Sequence, residues 1–140
     1  MQSEALRIQA AIAELAAINA DAGRVAGAAA ATWHEIHAVL ATVIGPGGVA
    51  ALYQRSLHLI RGTYPWLTAA HEEPVRAGEF AALRSVLSQQ RSAQVVAANG
   101  ALLQTFYDLL SSLIGVSLTE RLLRSVRNNP DAPAHTDSSK

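Results

Sequence analysis

From Leu6 to Val43 the larger apolar residues return at steps of three and four: Ile8, Ile12, Leu15 and Ile18, then Val25, Trp33, Ile36, Leu40 and Val43. That spacing predicts helix. Between Asn19 and Ala31 the positions are small apart from Asp21, Arg24 and Val25, and Gly23 and Gly27 share a face. Either the helix breaks near Asn19-Gly23, or it continues and another helix packs closely on the small stripe. Glycine costs about 1 kcal/mol against alanine inside a helix, which favours the break.

Ile44-Gly45-Pro46-Gly47-Gly48 ends a helix, because glycine permits a left-handed cap and proline cannot prolong the preceding turn. A new helix is expected from about Val49 to Gly62, closed by Tyr64-Pro65. His71-Glu72-Glu73-Pro74 has the acidic character of a helix start. From Ala77 to Ile114 nearly every residue tolerates helix, yet the apolar face turns: Phe80, Leu83 and Leu87 point one way, and Leu102, Phe106, Leu109 and Leu113 another. The segment is therefore one helix that changes packing partner, or two helices joined near Asn99-Gly100. Ser117-Leu118-Thr119-Glu120 fits a capping box ahead of a last amphipathic helix that runs to about Arg127. Residues 128–140 are polar, contain proline and have no hydrophobic period, so they are expected to be a disordered tail.

The expected fold is all-α: one domain over residues 1–127, an up-and-down bundle of four or five helices. A chain of 140 residues is enough for one adequate core and too short for two. Leu102, Leu103, Phe106, Leu109, Leu110 and Leu113, followed by Leu118, Leu122, Leu123 and Val126, make two strongly amphipathic helices in succession. Core is the plainer reading of this surface, and a homodimer interface the sharper one.

Charge changes the picture by exclusion. Eleven acidic and eleven basic residues balance to zero, so no global field draws the chain to nucleic acid or anionic lipid. The absence of cysteine removes disulfides, thiolate metal sites and cysteine nucleophiles together. Charges interrupt the alanine-rich N-terminal region, which predicts a cytoplasmic protein with no signal or spanning segment there. The preference for arginine and alanine suggests a bacterial source with a GC-rich genome. No coherent constellation for hydrolysis or phosphate-loop chemistry is present, so neither an enzyme nor a cofactor is expected, and a protein partner is.

On a helix from Val49 to Gly62, the residues Val49, Leu52, Tyr53, Leu57, Leu59 and Ile60 form an apolar arc, with His58 opposite its centre. Gln54 and Arg55 lie one turn before His58, and Arg61 and Gly62 one turn after. This surface is the candidate partner-binding site.

The run His58-Leu59-Ile60-Arg61-Gly62-Thr63 resembles the histidine motif of histidine-containing phosphotransfer domains, four-helix bundles that relay a phosphoryl group between signalling proteins. The resemblance implies that His58 is the phospho-acceptor, Arg61 the cation that offsets phosphoryl charge and Gly62 the clearance for an approaching receiver domain. A receiver domain or kinase would then be the partner. The likeness covers six residues, and Pro65 stops the helix sooner than the family pattern does. The plainer reading of His58 is a solvent-facing histidine.

His34 and His37 share a helical side, and His71 or Glu72 is a conceivable third metal ligand, although the spacing is not that of a zinc protease. The phase sends His34 to water and His37 to the boundary of the core. Tyr64, Trp66 and Leu67 are expected to plug one end of the bundle, with an exposed docking point as the alternative. Arg121, Arg124 and Arg127 suit the C-terminal end of the last helix.

Overall fold

The computed structural model describes residues 4–18, 21–67 and 80–126. Over these residues the chain forms α1 (Glu4–Ala17), α2 (Ala22–Ile60), a 3-10 turn (Pro65–Leu67), α3 (Ala81–Ser88), α4 (Ser92–Ile114) and α5 (Val116–Arg124), with no strand among them. The chain is an all-α bundle. The expected helix start at His71 to Pro74, the expected tail and Arg127 lie outside the described residues.

The break after Ile18 takes the form the small-residue run suggested. Asp21 is the N-cap of α2, with extended backbone, and its Oδ1 accepts the backbone N–H of Arg24 at 2.8 Å. The second break falls within α2 at Gly45, where φ is 79° and ψ is 154°. Only glycine tolerates that combination without strain. Pro46 follows as the first residue of the second arm, three residues before the expected start at Val49, because its missing N–H is one the first helical turn leaves unbonded in any case.

This one residue reverses the chain. Trp33 and Tyr53 would stand about 30 Å apart on a straight helix, yet their ring centroids are 5.4 Å apart. α2 is therefore a helical hairpin with a first arm over residues 22–44 and a second over 46–60. By length and composition α2 is apolar and long enough to cross a membrane; its fold at Gly45 means that it does not do so here as one straight rod.

The remaining contacts fix the directions of the other helices. Gln9 lies against Gly100, where an added Cβ would meet its Oε1 at 3.2 Å, and the backbone N–H of Glu4 donates to Glu120 Oε1 at 2.9 Å. So α1 runs antiparallel to α4, its end beside the start of α4. The first arm then runs with α4 and the second against it, the alternation of an up-and-down bundle. The Gly45 bend and the Gly115 corner, both at positive φ, fall at the same end. Asp21, Arg91 and the end of the second arm fall at the other.

Aromatic rings gather at mid-height. Trp33, only 1% exposed, packs against Tyr53, against Phe80 with centroids 6.1 Å apart and against Phe106 at 5.0 Å. Its Nε1 donates to Asn99 Oδ1 at 2.9 Å. That bond corrects one expectation: the chain does not break at Asn99-Gly100, because Asn99 is buried inside α4 with its carbonyl oxygen satisfied across the core. The break between α3 and α4 occurs instead over residues 89–91, in the polar stretch that separates the two apolar faces.

The expected capping box is also corrected. α5 begins at Val116 behind Gly115, at φ 93° and ψ 152°, and Ser117 lies within the helix. Glu120 turns away from its own helix start to accept Glu4 N–H and the phenol of Tyr107. Arg7 Nη2 in turn donates to the carbonyls of Leu123 and Val126 at 3.0 and 3.1 Å, capping α5 from another helix. Leu102, Leu103, Phe106, Leu110, Leu123 and Val126 are buried in the chain's own core, and Leu113 and Val116 remain exposed beside the Gly115 corner.

Candidate docking site

The second arm of α2 carries the candidate residues, and its phase decides what they offer. Val49, Tyr53, Ser56, Leu57 and Ile60 are buried, while Gly47, Ala51, Arg55 and Leu59 are exposed. Leu59, expected in the apolar arc, is 47% exposed, and Ser56 takes its place inside. The hydroxyl of Ser56 can be buried because it donates to the Leu52 carbonyl one turn back at 2.8 Å. The exchange rotates the buried face by about 20° at 100° per residue.

Of the candidate residues inside the helix, Arg55 is the one exposed on the solvent ridge. His58 and Gln54 are partly buried on one flank, and Leu59 is exposed on the other. Ala51, Arg55, Leu59 and Gly62 follow one another at steps of three and four along the ridge. Among the described residues no carboxylate pairs with Arg55 or Arg61.

Helix ends just past the histidine. Arg61 is the C-cap of α2, and Thr63 and Tyr64 both donate to the Ile60 carbonyl at 3.0 Å, tightening the last turn. Arg61, Gly62 and Thr63 are exposed. A Cβ added at Gly62 would meet nothing within 4 Å, so the surface there is open to a partner's backbone. Tyr64 and Trp66 are partly buried and meet edge to face with centroids 6.0 Å apart, while Leu67 is buried. They form the expected plug.

His34 is exposed and His37 partly buried, as their phase required. The ring of His37 stands edge-on to Phe80 with centroids 6.4 Å apart. Burial, and then the neighbouring His34, hold its pKa below the ordinary imidazole value. Among the described residues no three metal-ligating side chains converge; His71 and Glu72 lie outside them.

A second polar cluster escaped sequence reasoning. Glu4, Arg7, Tyr107, Glu120 and Arg124 meet where α1, α4 and α5 converge, with Arg124 Nε 3.6 Å from Glu4 Oε2. The hydrogen bond to Glu120, with burial next, raises the Tyr107 phenol pKa. Only Glu4 and Arg7 are near in sequence; the other pairs are remote, and their residues look like ordinary solvated helix positions.

No family model matches the chain, no curated protein matches it, and no solved structure matches its fold.

Proposed function

We propose that this protein is a cytoplasmic signalling or regulatory adaptor of bacterial type, working without catalytic turnover as a homodimer. It docks a protein partner, a receiver domain or kinase, through the ridge that includes Gln54, Arg55, His58, Arg61 and Gly62. One observation carries the reading: the second arm buries one side in the bundle and leaves a continuous opposite ridge on which an exposed guanidinium, an exposed leucine and an open glycine succeed one another. Interfaces favour arginine, and covering the exposed leucine removes apolar surface from water. Affinity purification of the tagged protein from its native cells tests the reading. A partner retained by His58→Gln and lost on Arg55→Glu or Arg61→Glu is the expected result; a partner indifferent to both charge reversals sinks it.

Gly62 supports a second reading, phosphotransfer at His58. The imidazole nitrogen would attack the phosphorus of a receiver's aspartyl phosphate, forming the P–N bond as the P–O bond to the carboxylate breaks and the imidazole proton leaves to water. Arg61 would offset the phosphoryl charge. Incubation with a phosphorylated receiver domain then gives an acid-labile label that His58→Gln abolishes; an unlabelled wild-type chain removes this reading.

A further inference from the structure

From Ile36 to His71 the chain has no aspartate or glutamate, and its only formal charges there are Arg55 and Arg61. The second arm lies wholly within this tract. Around it the described surface is cationic as well. Arg24 opens the first arm, the Arg84 guanidinium lies over Gly27, 3.7 Å from where an added Cβ would stand, and Arg91 precedes α4, all towards the end at which the second arm finishes. The described acidic groups towards that end are Glu14, near the end of α1, and Asp21, whose carboxylate caps its own helix. Glu35 stands on the first arm. Among the described residues, a chain with no net charge thus presents a locally positive face.

The ridge is not uniformly polar. Leu59 follows Arg55 by one turn, so an exposed isobutyl group sits about 6 Å from the arginine stem. A phosphate backbone has no use for that leucine, and so few cations give little counterion release. A carboxylate-bearing protein segment uses both: guanidinium groups take carboxylates in bidentate pairs, and the leucine takes an apolar side chain lying between them.

We infer that the Ala51–Arg55–Leu59–Gly62 ridge is the docking surface for an acidic amphipathic segment of a partner protein, one that sets carboxylates beside Arg55 and Arg61 and an apolar residue on Leu59. This rests on the docking role assigned to the same ridge and adds the chemistry of its partner. Gly62 and Ala51 let the segment lie close along the helix.

Selection of a displayed random-peptide library on the folded full-length chain tests it. Recovered peptides should be rich in aspartate and glutamate around one apolar residue. Their affinity should fall about tenfold on Arg55→Glu, about 1.4 kcal/mol. It should also fall on Leu59→Ser and at high salt, and stay unchanged in the remote Arg121→Glu variant. Circular dichroism checks that each variant keeps its helix content. Neutral or basic peptides that still depend on Arg55 and Leu59 overturn the acidic partner and leave docking at the ridge standing. Peptides indifferent to both residues, or no peptides at all, overturn the inference and weaken the docking role with it. Binding that appears only after Glu72 and Glu73 are replaced by glutamine assigns the ridge to the chain's own carboxylates and also overturns it.

Discussion

The indole N–H of Trp33 and the side-chain carbonyl of Asn99 meet at 2.9 Å in the middle of the bundle, tying the first arm of α2 to α4 through a polar contact within an aromatic cluster. Trp33→Phe removes the donor and leaves a buried amide oxygen unsatisfied. The expected cost is about 2–4 kcal/mol, combining lost packing with the desolvation of Asn99. Asn99→Leu is expected to cost about 1–3 kcal/mol. The double variant should cost less than the sum of the two, by at least about 0.5 kcal/mol in urea unfolding followed by circular dichroism. Strict additivity would show that the bond contributes nothing.

Two glycines predict opposite outcomes. Gly45→Ala forces a Cβ onto a backbone at φ 79° and should lower stability by about 1–3 kcal/mol. Gly62→Ala has open space around it and should lie within about 0.5 kcal/mol of wild type. Thermal unfolding of the pair decides. Equal losses would contradict the distinction between a conformational glycine and a clearance glycine.

Tyr107→Phe should destabilise by about 1–2 kcal/mol, since Glu120 loses a phenolic donor. The folded phenol pKa is raised, first by the bond to Glu120, so its contribution is complete below the ordinary phenol pKa of 10.0 and is lost as pH rises through the higher folded value. Wild-type stability should therefore fall more steeply in strong alkali than that of the phenylalanine variant. Parallel slopes would count against the bond.

His37 predicts the acid limb. Its folded pKa is depressed below 6.5 by burial and by His34, so the unfolded chain takes up its proton first. That contribution is fully present above pH 6.5 and is lost as pH falls through the folded value. His37→Gln should flatten the decline in stability over that window, measured as denaturant midpoints across a pH series. An unaltered slope would place the proton uptake elsewhere.

Element type was legible from spacing alone, and so were the breaks at residues that announce themselves: the small-residue run before Asp21, Gly45-Pro46 and the turn before Pro65. What misled were polar residues whose partners lie far away in sequence. Asn99-Gly100 reads as a joint until Trp33 supplies the missing donor, and Ser117-Glu120 reads as a cap until Tyr107 and Glu4 claim the carboxylate. The same blindness shifted the candidate site. Ser56 looks like a surface residue and Leu59 like a core one, and a hydroxyl bonded to its own helix is enough to reverse them. His58 lies on the second arm, and that Arg55 is more open to solvent than His58 followed only from the folded structure.

The Gly45 corner also has a kinetic consequence. Reversing two helical arms through a single residue leaves almost no flexible loop to close, so the chain gives up little disorder in bringing Tyr53 onto Trp33. Neighbours joined so cheaply should assemble early, with Phe106 and then Val126 added to a surface already made. Substitutions at Tyr53 should accordingly slow refolding, whereas those at Val126 should chiefly hasten unfolding.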